Sequence, residues 1–398
     1  MLLSPGMSSA DSARILLRLC KMSGKEEEFV AQAFRDNWVV PLGPNVDGFE
    51  KDLEKFILKP GSNKRICALS SGTAAIHLGL EMLGVGVGDD VLVQSLTFSA
   101  SANPVKYQGA NPIFIDSEPA TWNIDPQLLD DAITEIKKSK GKLPKAIIIV
   151  DLYGMPAKMT ELLNVSQKWG IPILEDAAEA FGSKYKGVKC GNFGEYGVLS
   201  FNGNKMITTS GGGALICPDE KQRKRALSYA TQSREPMPWY EHERIGFNYR
   251  LSNICAGIGR GQMYVAEDFI RHHRYVHNRY REIFNDISEV KLHENPNEDF
   301  NSNFWLSTIT FNKGVKVKGD DGCGAPEAMR RFLETKNIET RHIWKPMHLQ
   351  PFFRECEAFI NGNSEQIFKS GLCLPSGPCV GEKELEYIEK SIKEALNS

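Results

Sequence analysis

The chain has 398 residues, of which 25% are charged and 41% are apolar, and its formal net charge at pH 7 is -2. This composition is typical of a globular protein and excludes a fibrous or largely disordered chain. The balanced charge argues against binding to nucleic acid or to membranes through their phosphates, and no stretch of about 18 apolar residues predicts a membrane span. We therefore expect a cytoplasmic protein that acts on small molecules.

Residues 1–20 are interpreted as a leader or N-terminal segment without chemistry. Apolar spacing then predicts helices at residues 26–34 and 46–57, separated by the segment NWVVPLGP. Short apolar runs alternate with amphipathic stretches from residue 66 onwards. Strands are predicted at 66–69, 90–95, 112–116, 146–150 and 172–176, and helices at 73–83, 99–108, 126–137 and 159–169.

Strands that are apolar on both faces and separated by helices are typical of a mostly parallel sheet covered on both sides. We therefore expect residues 21–265 to form a large α/β domain. A long basic helical pattern starts at residue 266, and a terminal helix is predicted at 382–396. Residues 266–398 are expected to form a smaller C-terminal α+β domain.

A lysine in an unusual setting is the first candidate for chemistry. Lys205 lies in LSFNGNKMITTSGGGAL, a loop rich in Gly, Asn, Ser and Thr between two apolar runs. This setting favours a buried amine, which can form a Schiff base with a carbonyl compound. Taken alone, the segment fits a surface-loop lysine about equally well.

Two further features are predicted on the same scaffold. Asp176 ends a strand at the carboxyl edge of the sheet, where ligands bind, and an acid there can pair with the pyridine nitrogen of pyridoxal phosphate or cap a helix. SSGTAA at residues 70–75 follows a strand and opens a helix, so that Gly72, Thr73 and nearby backbone N–H groups can cradle a phosphate. The three features in this order are far more specific than any one of them.

Several ordered motifs carry a resemblance to a known family over about residues 20–395. They include SSGTAAIHLGLEMLGVGVGDDVLVQSLTFSASAN, DLYGMPAKM, ILEDAAEAFGS, GNFGEYGVLSFNGNKMITTSGGG and GFNYRLSNICAGIGRGQM. With them the chain resembles the DegT/DnrJ/EryC1/StrS nucleotide-sugar aminotransferases, which are pyridoxal-phosphate enzymes. The resemblance implies the fold type I of such transferases, with a mostly parallel seven-stranded sheet in the large domain.

The resemblance also implies roles for individual residues. Lys205 would carry pyridoxal 5′-phosphate covalently, and Asp176 would pair with its pyridine nitrogen. Further cofactor contacts are expected at Gly72, Thr73, Ala74, Phe98, Glu179, Ser200 and Asn248, the last from the second subunit of a homodimer with shared active sites. Positions near the sugar nucleotide are expected at Asn37, Trp38, Val39, Val40, Arg341 and His348, although a structural role explains the last two equally well.

Two departures from the common family pattern narrow the expected substrate. Glu179 stands where many relatives have Gln, and TTSGGG stands where many have TTGEGG. Both changes are shared with the 4-aminotransferases of the UDP-N-acetylbacillosamine pathway, which the chain also resembles in YEHERIGFNYRLSN, WKPMH, NGNSE and CLPSG. The family's aminosugar 3-dehydrases have His in place of the Schiff-base lysine, so Lys205 favours transamination.

No metal site is expected. His272, His273 and His277 include an i, i+4 pair, but RHHRYVHNRYR is interpreted as a solvated basic helix. The nine cysteines contain no C-x-x-C pair and are interpreted as reduced thiols.

The most specific hypothesis is therefore an aminotransferase that moves an amino group from L-glutamate to the C4 ketone of a UDP-4-keto-6-deoxy-N-acetylhexosamine. The same chemistry on a 3-keto or a dTDP-linked sugar is an alternative. A non-catalytic regulator that binds the cofactor or a sugar nucleotide is a second alternative.

Overall fold

The computed structural model describes residues 14–396. Its strands are β1 (Arg65–Leu69), β2 (Asp90–Gln94), β3 (Asn111–Ile115), β4 (Ala146–Val150), β5 (Ile173–Asp176), β6 (Lys184–Tyr185), β7 (Val188–Lys189), β8 (Tyr196–Ser200), β9 (Gly213–Cys217), β10 (Val290–Leu292), β11 (Phe300–Asn301), β12 (Ser307–Phe311), β13 (Arg341–His342), β14 (Ala358–Phe359) and β15 (Gly371–Leu374). Its α-helices are α1 (Glu26–Arg35), α2 (Pro44–Ile57), α3 (Gly72–Met82), α4 (Asn103–Tyr107), α5 (Pro126–Lys140), α6 (Met159–Trp169), α7 (Glu220–Ala230), α8 (Asn253–Met263), α9 (Ala266–Phe284), α10 (Ala325–Thr335), α11 (Asn363–Ser370) and α12 (Glu382–Leu396). Within this range no helix combines the length and the apolar character that a membrane span requires.

The large sheet has the strand order β1-β9-β8-β5-β4-β2-β3-β14. Strand β9 is antiparallel to both of its neighbours, and the other neighbouring pairs are parallel. The predicted mostly parallel sheet of seven strands is confirmed, and β14 adds an eighth strand from the C-terminal part of the chain. The sequence did not predict β14, because two residues are too few to show a period.

Helices cover both faces of this sheet. Val91 and Val93 of β2 pack in one core with α3, α4 and α7, whereas Leu92 and Ile147 pack in another with α5 and α6. Because successive strand residues point to opposite faces, a strand covered on both sides must be apolar throughout. All five residues of β2 and of β4 are buried. This burial explains the apolar run of all five residues in β4 and of the three central residues in β2.

The C-terminal part of the chain has its own core. An antiparallel sheet of order β10-β12-β15-β13 packs against α9, α10 and α12. Helix α9 contributes Phe269 and Ile270 to the core beside the large sheet, and Tyr280 and Phe284 to the C-terminal core. We propose α9 as the boundary between the two domains, because it belongs to both cores.

Residues 14–19 pack on the C-terminal domain. Arg14 forms a bidentate ion pair with Glu334. Leu17 is buried, and its carbonyl oxygen accepts a hydrogen bond from Ser376 N. The assignment of residues 1–20 as a leader or N-terminal segment stays a prediction, since residues 1–13 lie outside the described residues and residues 14–19 are a packed N-terminal segment. The sequence could not show this packing, since Glu334 and Glu339, which bond to the segment, are more than 300 positions away.

Helix α9 also differs from the predicted solvated helix. His273 and His277 are completely buried. The ring of His277 stacks on Phe304 with centroids 3.5 Å apart, and Nδ1 of His273 lies 2.7 Å from the carbonyl oxygen of Phe269. Within residues 14–396 neither Nε2 atom has a hydrogen-bond partner. The i, i+4 spacing places both rings on one helix face, and that face is the inner one.

We expect these buried histidines to destabilise the folded protein in acid. Burial lowers the pKa of His273 and of His277 well below the ordinary value, and the charges of Arg18 and Arg281 act in the same direction. The unfolded chain therefore binds protons that the folded chain does not bind as the pH falls below about 6.5. Between pH 7 and pH 5 the free energy of unfolding should therefore fall by about 2 kcal/mol less in His277→Gln than in the wild type.

Urea unfolding at the two pH values measures this difference. The control is His242→Gln at an exposed histidine, which should keep the full wild-type loss. An identical pH dependence in the wild type and in His277→Gln would contradict the expectation.

Candidate active site

A cavity of about 320 Å³ lies at the carboxyl ends of the parallel strands, which is where open α/β sheets bind ligands. Its wall is formed by the ends of β5 and β8, the beginning of α3 and the loop after β8, and Trp305 and Trp344 of the C-terminal domain complete it. A wider groove of about 1360 Å³ follows the C-terminal domain. That groove is lined by none of the predicted site residues.

Lys205 is partly buried and contacts an acid. Its Nζ donates a hydrogen bond to Oε1 of Glu179 at 3.0 Å and lies 4.4 Å from the ring centroid of Trp305. The other oxygen of Glu179 accepts from Tyr153 N at 2.8 Å. Burial raises the pKa of Glu179, and the charge of Lys205 opposes this. The amine of Lys205 is thus partly buried and ion-paired, and its predicted role stays a prediction.

Asp176 ends β5 inside the same cavity and is 4% exposed. Its Oδ2 accepts a hydrogen bond from Ser101 Oγ at 2.7 Å, and its Oδ1 accepts from Ala178 N at 3.2 Å. Burial raises its pKa, while Ser101, Ala178 N and the charge of Lys205 oppose the shift. A ligand that brings a cation to this carboxylate would favour its ionised form.

The N-terminus of α3 forms the third wall. Ser71 caps this helix by accepting a hydrogen bond from Ala74 N at 3.0 Å. A Cβ atom on Gly72 would lie 3.0 Å from Cβ of Ser200, and one on Gly213 would lie 2.4 Å from Gly72 N. Only glycine allows such a close approach between the helix end and the neighbouring strands. The positive end of the helix dipole beside the Ser200 hydroxyl suits an anion such as a phosphate.

The predicted site residues divide into two groups. The cavity brings together Gly72, Thr73, Phe98, Asp176, Glu179, Ser200 and Lys205. It does not include Ala74, Asn248, Asn37, Trp38, Val39, Val40, Arg341 and His348. The N–H of Ala74 is already bonded to Ser71, and Asn248 is exposed.

The two predicted C-terminal residues bond elsewhere. The Arg341 guanidinium donates to Glu339. Nδ1 of His348 lies 2.7 Å from Ser95 Oγ. Within a single subunit, therefore, both Arg341 and His348 make structural contacts.

Sequence reasoning missed the aromatic residues around Lys205. Tyr153 has a positive φ of 54°, and its hydroxyl oxygen accepts a hydrogen bond from Trp344 N at 3.0 Å. The ring of Trp344 lies 5.2 Å from Phe98 and 5.1 Å from Tyr153. Tyr153 follows β4 in DLYGMP, and its place after a buried strand was the one signal that could have identified it.

The cavity offers a suitable side chain or backbone group for each part of pyridoxal phosphate. A lysine amine for the aldehyde, an acid for the pyridine nitrogen and a helix N-terminus for the phosphate line one space. Phe98 supplies an aromatic surface in the same wall.

Comparison with known proteins decides the family. Residues 21–393 match the DegT/DnrJ/EryC1/StrS aminotransferase family. The chain belongs to this family. It is a pyridoxal-phosphate-dependent aminotransferase that acts on nucleotide sugars, as the resemblance implied.

Individual relatives support this assignment over nearly the whole chain. EpsN of Bacillus subtilis (strain 168) is 43% identical to this chain over 93% of each chain. Its name gives it, provisionally, as a pyridoxal phosphate-dependent aminotransferase. GDP-perosamine synthase of Escherichia coli O157:H7 is 34% identical over 94% of this chain and 96% of its own. The crystal structure of a DegT DnrJ EryC1 StrS aminotransferase from Brucella abortus has a TM-score of 0.84 at 28% identity, over 93% of this chain and 95% of that one. This similarity confirms the predicted fold class.

We expect Ser101 to be needed for tight cofactor binding, because its hydroxyl donates to Asp176. In Ser101→Ala the carboxylate loses a charge-assisted hydrogen bond, so the dissociation constant for pyridoxal phosphate should rise roughly tenfold or more. Titration of the cofactor-free protein with pyridoxal phosphate measures this constant. Ser99→Ala, in the same 3-10 turn, is the control and should bind as the wild type does. Wild-type affinity in Ser101→Ala would refute the expectation.

Proposed function

We propose that this family member moves an amino group from L-glutamate to the C4 ketone of a UDP-4-keto-6-deoxy-N-acetylhexosamine, giving a UDP-4-amino-4,6-dideoxy sugar. The observation that carries the proposal is the ion-paired amine of Lys205 in one cavity with Asp176 and the N-terminus of α3. The UDP-linked acceptor is supported by SFNGNKMITTSGGG and YEHERIGFNYRLSN, which resemble the bacillosamine-pathway enzymes. A GDP-linked sugar, as the name of the Escherichia coli relative describes, a dTDP-linked sugar or a 3-keto sugar are the alternatives.

The residues of the cavity would hold the cofactor at three points. Gly72, Thr73 and Ser200 bind its phosphate at the positive end of α3, and Phe98 packs on its ring. Asp176 keeps the pyridine nitrogen protonated. When bound, pyridoxal phosphate supplies an electron sink that stabilises negative charge on the reacting carbon.

Lys205 moves the proton in both half-reactions. Its Nζ would take the Cα proton of L-glutamate in the first half-reaction and would donate a proton to C4 of the sugar in the second. The amino group would stay on the cofactor when water releases 2-oxoglutarate, and the oxygen of the C4 ketone would leave as water. Glu179, 3.0 Å from Nζ, holds the amine in the cavity whenever it is free. Trp305 and Trp344 line the same space.

The sugar nucleotide would extend beyond this cavity. A volume of about 320 Å³ is at the lower end for a small-molecule site, and the cofactor takes up much of it. Candidates for binding the outer part remain Asn37, Trp38, Val39, Val40, Arg341 and His348. None of them lines the cavity, which suits contacts with the nucleotide rather than with the reacting carbon.

We also propose a homodimer with shared active sites. Asn248 is exposed and lies outside the cavity, so a contact from it to the phosphate requires a second copy of the chain. Large apolar side chains are exposed on two segments, at Trp38, Val39, Val40 and Leu42 and at Met237, Trp239, Tyr240 and Ile245. Exposed apolar groups of this kind suit an interface between proteins.

A cytoplasmic location belongs to the same proposal. It is supported by the nine cysteines, all of which are free thiols in the structure, as is usual in a reducing compartment.

Absorption spectroscopy tests the two half-reactions. We expect a visible cofactor band that L-glutamate bleaches and a UDP-4-keto sugar restores. GDP- and dTDP-linked keto sugars should restore it more slowly, by roughly tenfold or more. Faster restoration by another nucleotide or by a 3-keto sugar would replace the proposed acceptor. A protein that stays colourless with added pyridoxal phosphate would instead favour the non-catalytic binding alternative.

Complementation between two inactive variants tests the roles of Lys205 and Asn248 and the shared site. Lys205→Ala lacks the proton-transferring amine, and Asn248→Ala lacks the contact to the other subunit's phosphate, so each variant alone should be nearly inactive. In an equal mixture that has exchanged subunits, half of the dimers are mixed and each has one complete site, giving about a quarter of wild-type activity.

Lys221→Ala, at an exposed lysine of α7, is the control and should remain active. No recovery in the mixture would contradict shared sites. Wild-type rates in Lys205→Ala would refute the assigned chemistry.

A further inference from the structure

Three successive carbonyl groups in the loop that carries Lys205 accept hydrogen bonds from side chains outside the large domain. Trp305 Nε1 donates to the carbonyl oxygen of Asn204 at 2.7 Å. Nη2 of Arg18 donates to the carbonyl oxygens of Lys205 at 2.8 Å and Met206 at 3.3 Å. Trp305 belongs to the C-terminal domain, and Arg18 belongs to the N-terminal segment packed on it.

The guanidinium of Arg18 donates hydrogen bonds to backbone carbonyl oxygens. Its Nη1 donates to the carbonyl oxygen of Leu19 at 2.8 Å, and no ion pair joins it to a carboxylate among residues 14–396. Burial lowers its pKa to about 10, so it stays charged at neutral pH. Hydrogen bonds from a charged donor are stronger than those from a neutral one, and here they hold the carbonyl of Lys205 itself.

Trp305 contacts the lysine in two ways. Its indole nitrogen bonds to the residue before Lys205, while its ring lies 4.4 Å from Nζ of Lys205. The indole is 2% exposed, so packing fixes its orientation. One side chain therefore restrains both the backbone and the amine, the latter through a cation–π contact.

The segment that carries Arg18 is anchored independently of the loop. Arg14 pairs with Glu334, and Leu17 N donates to Glu339 at 3.0 Å. These contacts fix residues 14–17 to the C-terminal domain. Arg18 therefore connects that domain to the backbone of the lysine.

We propose that Arg18 and Trp305 are positioning residues that fix the loop 202–206 and thereby aim Nζ of Lys205. Inside the loop, Lys205 N donates to the carbonyl oxygen of Asn202 at 2.9 Å. Met206 packs in the core at the end of the loop, but Asn202, Gly203 and Asn204 offer no apolar side chain to anchor the part before Lys205. A displacement of about 1 Å in a proton-transferring group can cost roughly a hundredfold in rate. The inference rests on the role proposed above for Lys205.

Hydrogen exchange of peptides covering residues 202–207 tests the restraint directly, in the holoenzyme and after removal of the cofactor. In Arg18→Met we expect these amides to exchange roughly tenfold faster or more. In the same variant kcat should fall roughly tenfold, because Nζ of Lys205 is no longer held in its reactive orientation. KM for L-glutamate should stay within about twofold of the wild type, because substrate binding is intact. Trp305→Phe should show the same change in exchange, since it loses the indole N–H.

Two variants distinguish positioning from packing. Arg18→Lys keeps a charged donor for one carbonyl, so it should recover part of both losses. Arg14→Met removes the ion pair of the same segment without touching the loop, so its exchange at 202–207 and its kcat should match the wild type. If Arg18→Met does not fold, Arg18→Lys and Trp305→Phe carry the test.

Wild-type exchange at 202–207 in the Arg18 and Trp305 variants would overturn the proposal. Equal effects of Arg14→Met and Arg18→Met would also overturn it, since segment docking alone would then explain them. A loosened loop with unchanged kcat would overturn the positioning role. An active Lys205→Ala variant would instead refute the role of the lysine, so the two failures are distinguishable.

Discussion

A buried ammonium group needs an opposite charge close by, and Glu179 supplies it to Lys205 at 3.0 Å. Removing two carboxylates and an amine from water together is unfavourable unless each finds a partner. Tyr153 N donates to Glu179, and Ser101 donates to Asp176. The charge of Lys205 thus balances Glu179, whereas Asp176 is bonded only to neutral donors. The site is therefore arranged for a ligand that adds a cation near Asp176 and an anion at α3.

The edge of the sheet that forms the cavity also holds the C-terminal domain. After β2, Ser95 Oγ lies 2.7 Å from Nδ1 of His348. After β3, Asp116 accepts a hydrogen bond from Gly362 N at 2.8 Å, and after β4 the Tyr153 hydroxyl accepts from Trp344 N. Consecutive strand ends therefore dock one C-terminal segment after another. This is why two tryptophans from the smaller domain complete a cavity built by the larger one.

The elements with strong periodicity were predictable. The structure has strands at Ala146–Val150 and Ile173–Asp176 and a helix at Met159–Trp169, close to the predicted ranges. A strand buried on both faces and a helix buried along one face each produce a characteristic local spacing of apolar residues. The predicted helix at 99–108 is instead a 3-10 turn at Ser99–Ser101 followed by α4. That turn brings Ser101 to Asp176, and nothing in the local pattern distinguishes this serine from its neighbours.

The sequence by itself determined the family, the cofactor and the order of the groups that bind it. Asp176 ends a strand, whereas Lys205 and the N-terminus of α3 lie in or after the loops that follow strands. The carboxyl ends of parallel strands meet at one edge. Only the tertiary structure decided which side chains hold those groups in place. Arg18 is 187 positions from Lys205 and Trp305 is 101 positions from Asn204. Contacts at such separations are set by how the two domains pack, and a pattern with a period of two or four residues cannot encode them.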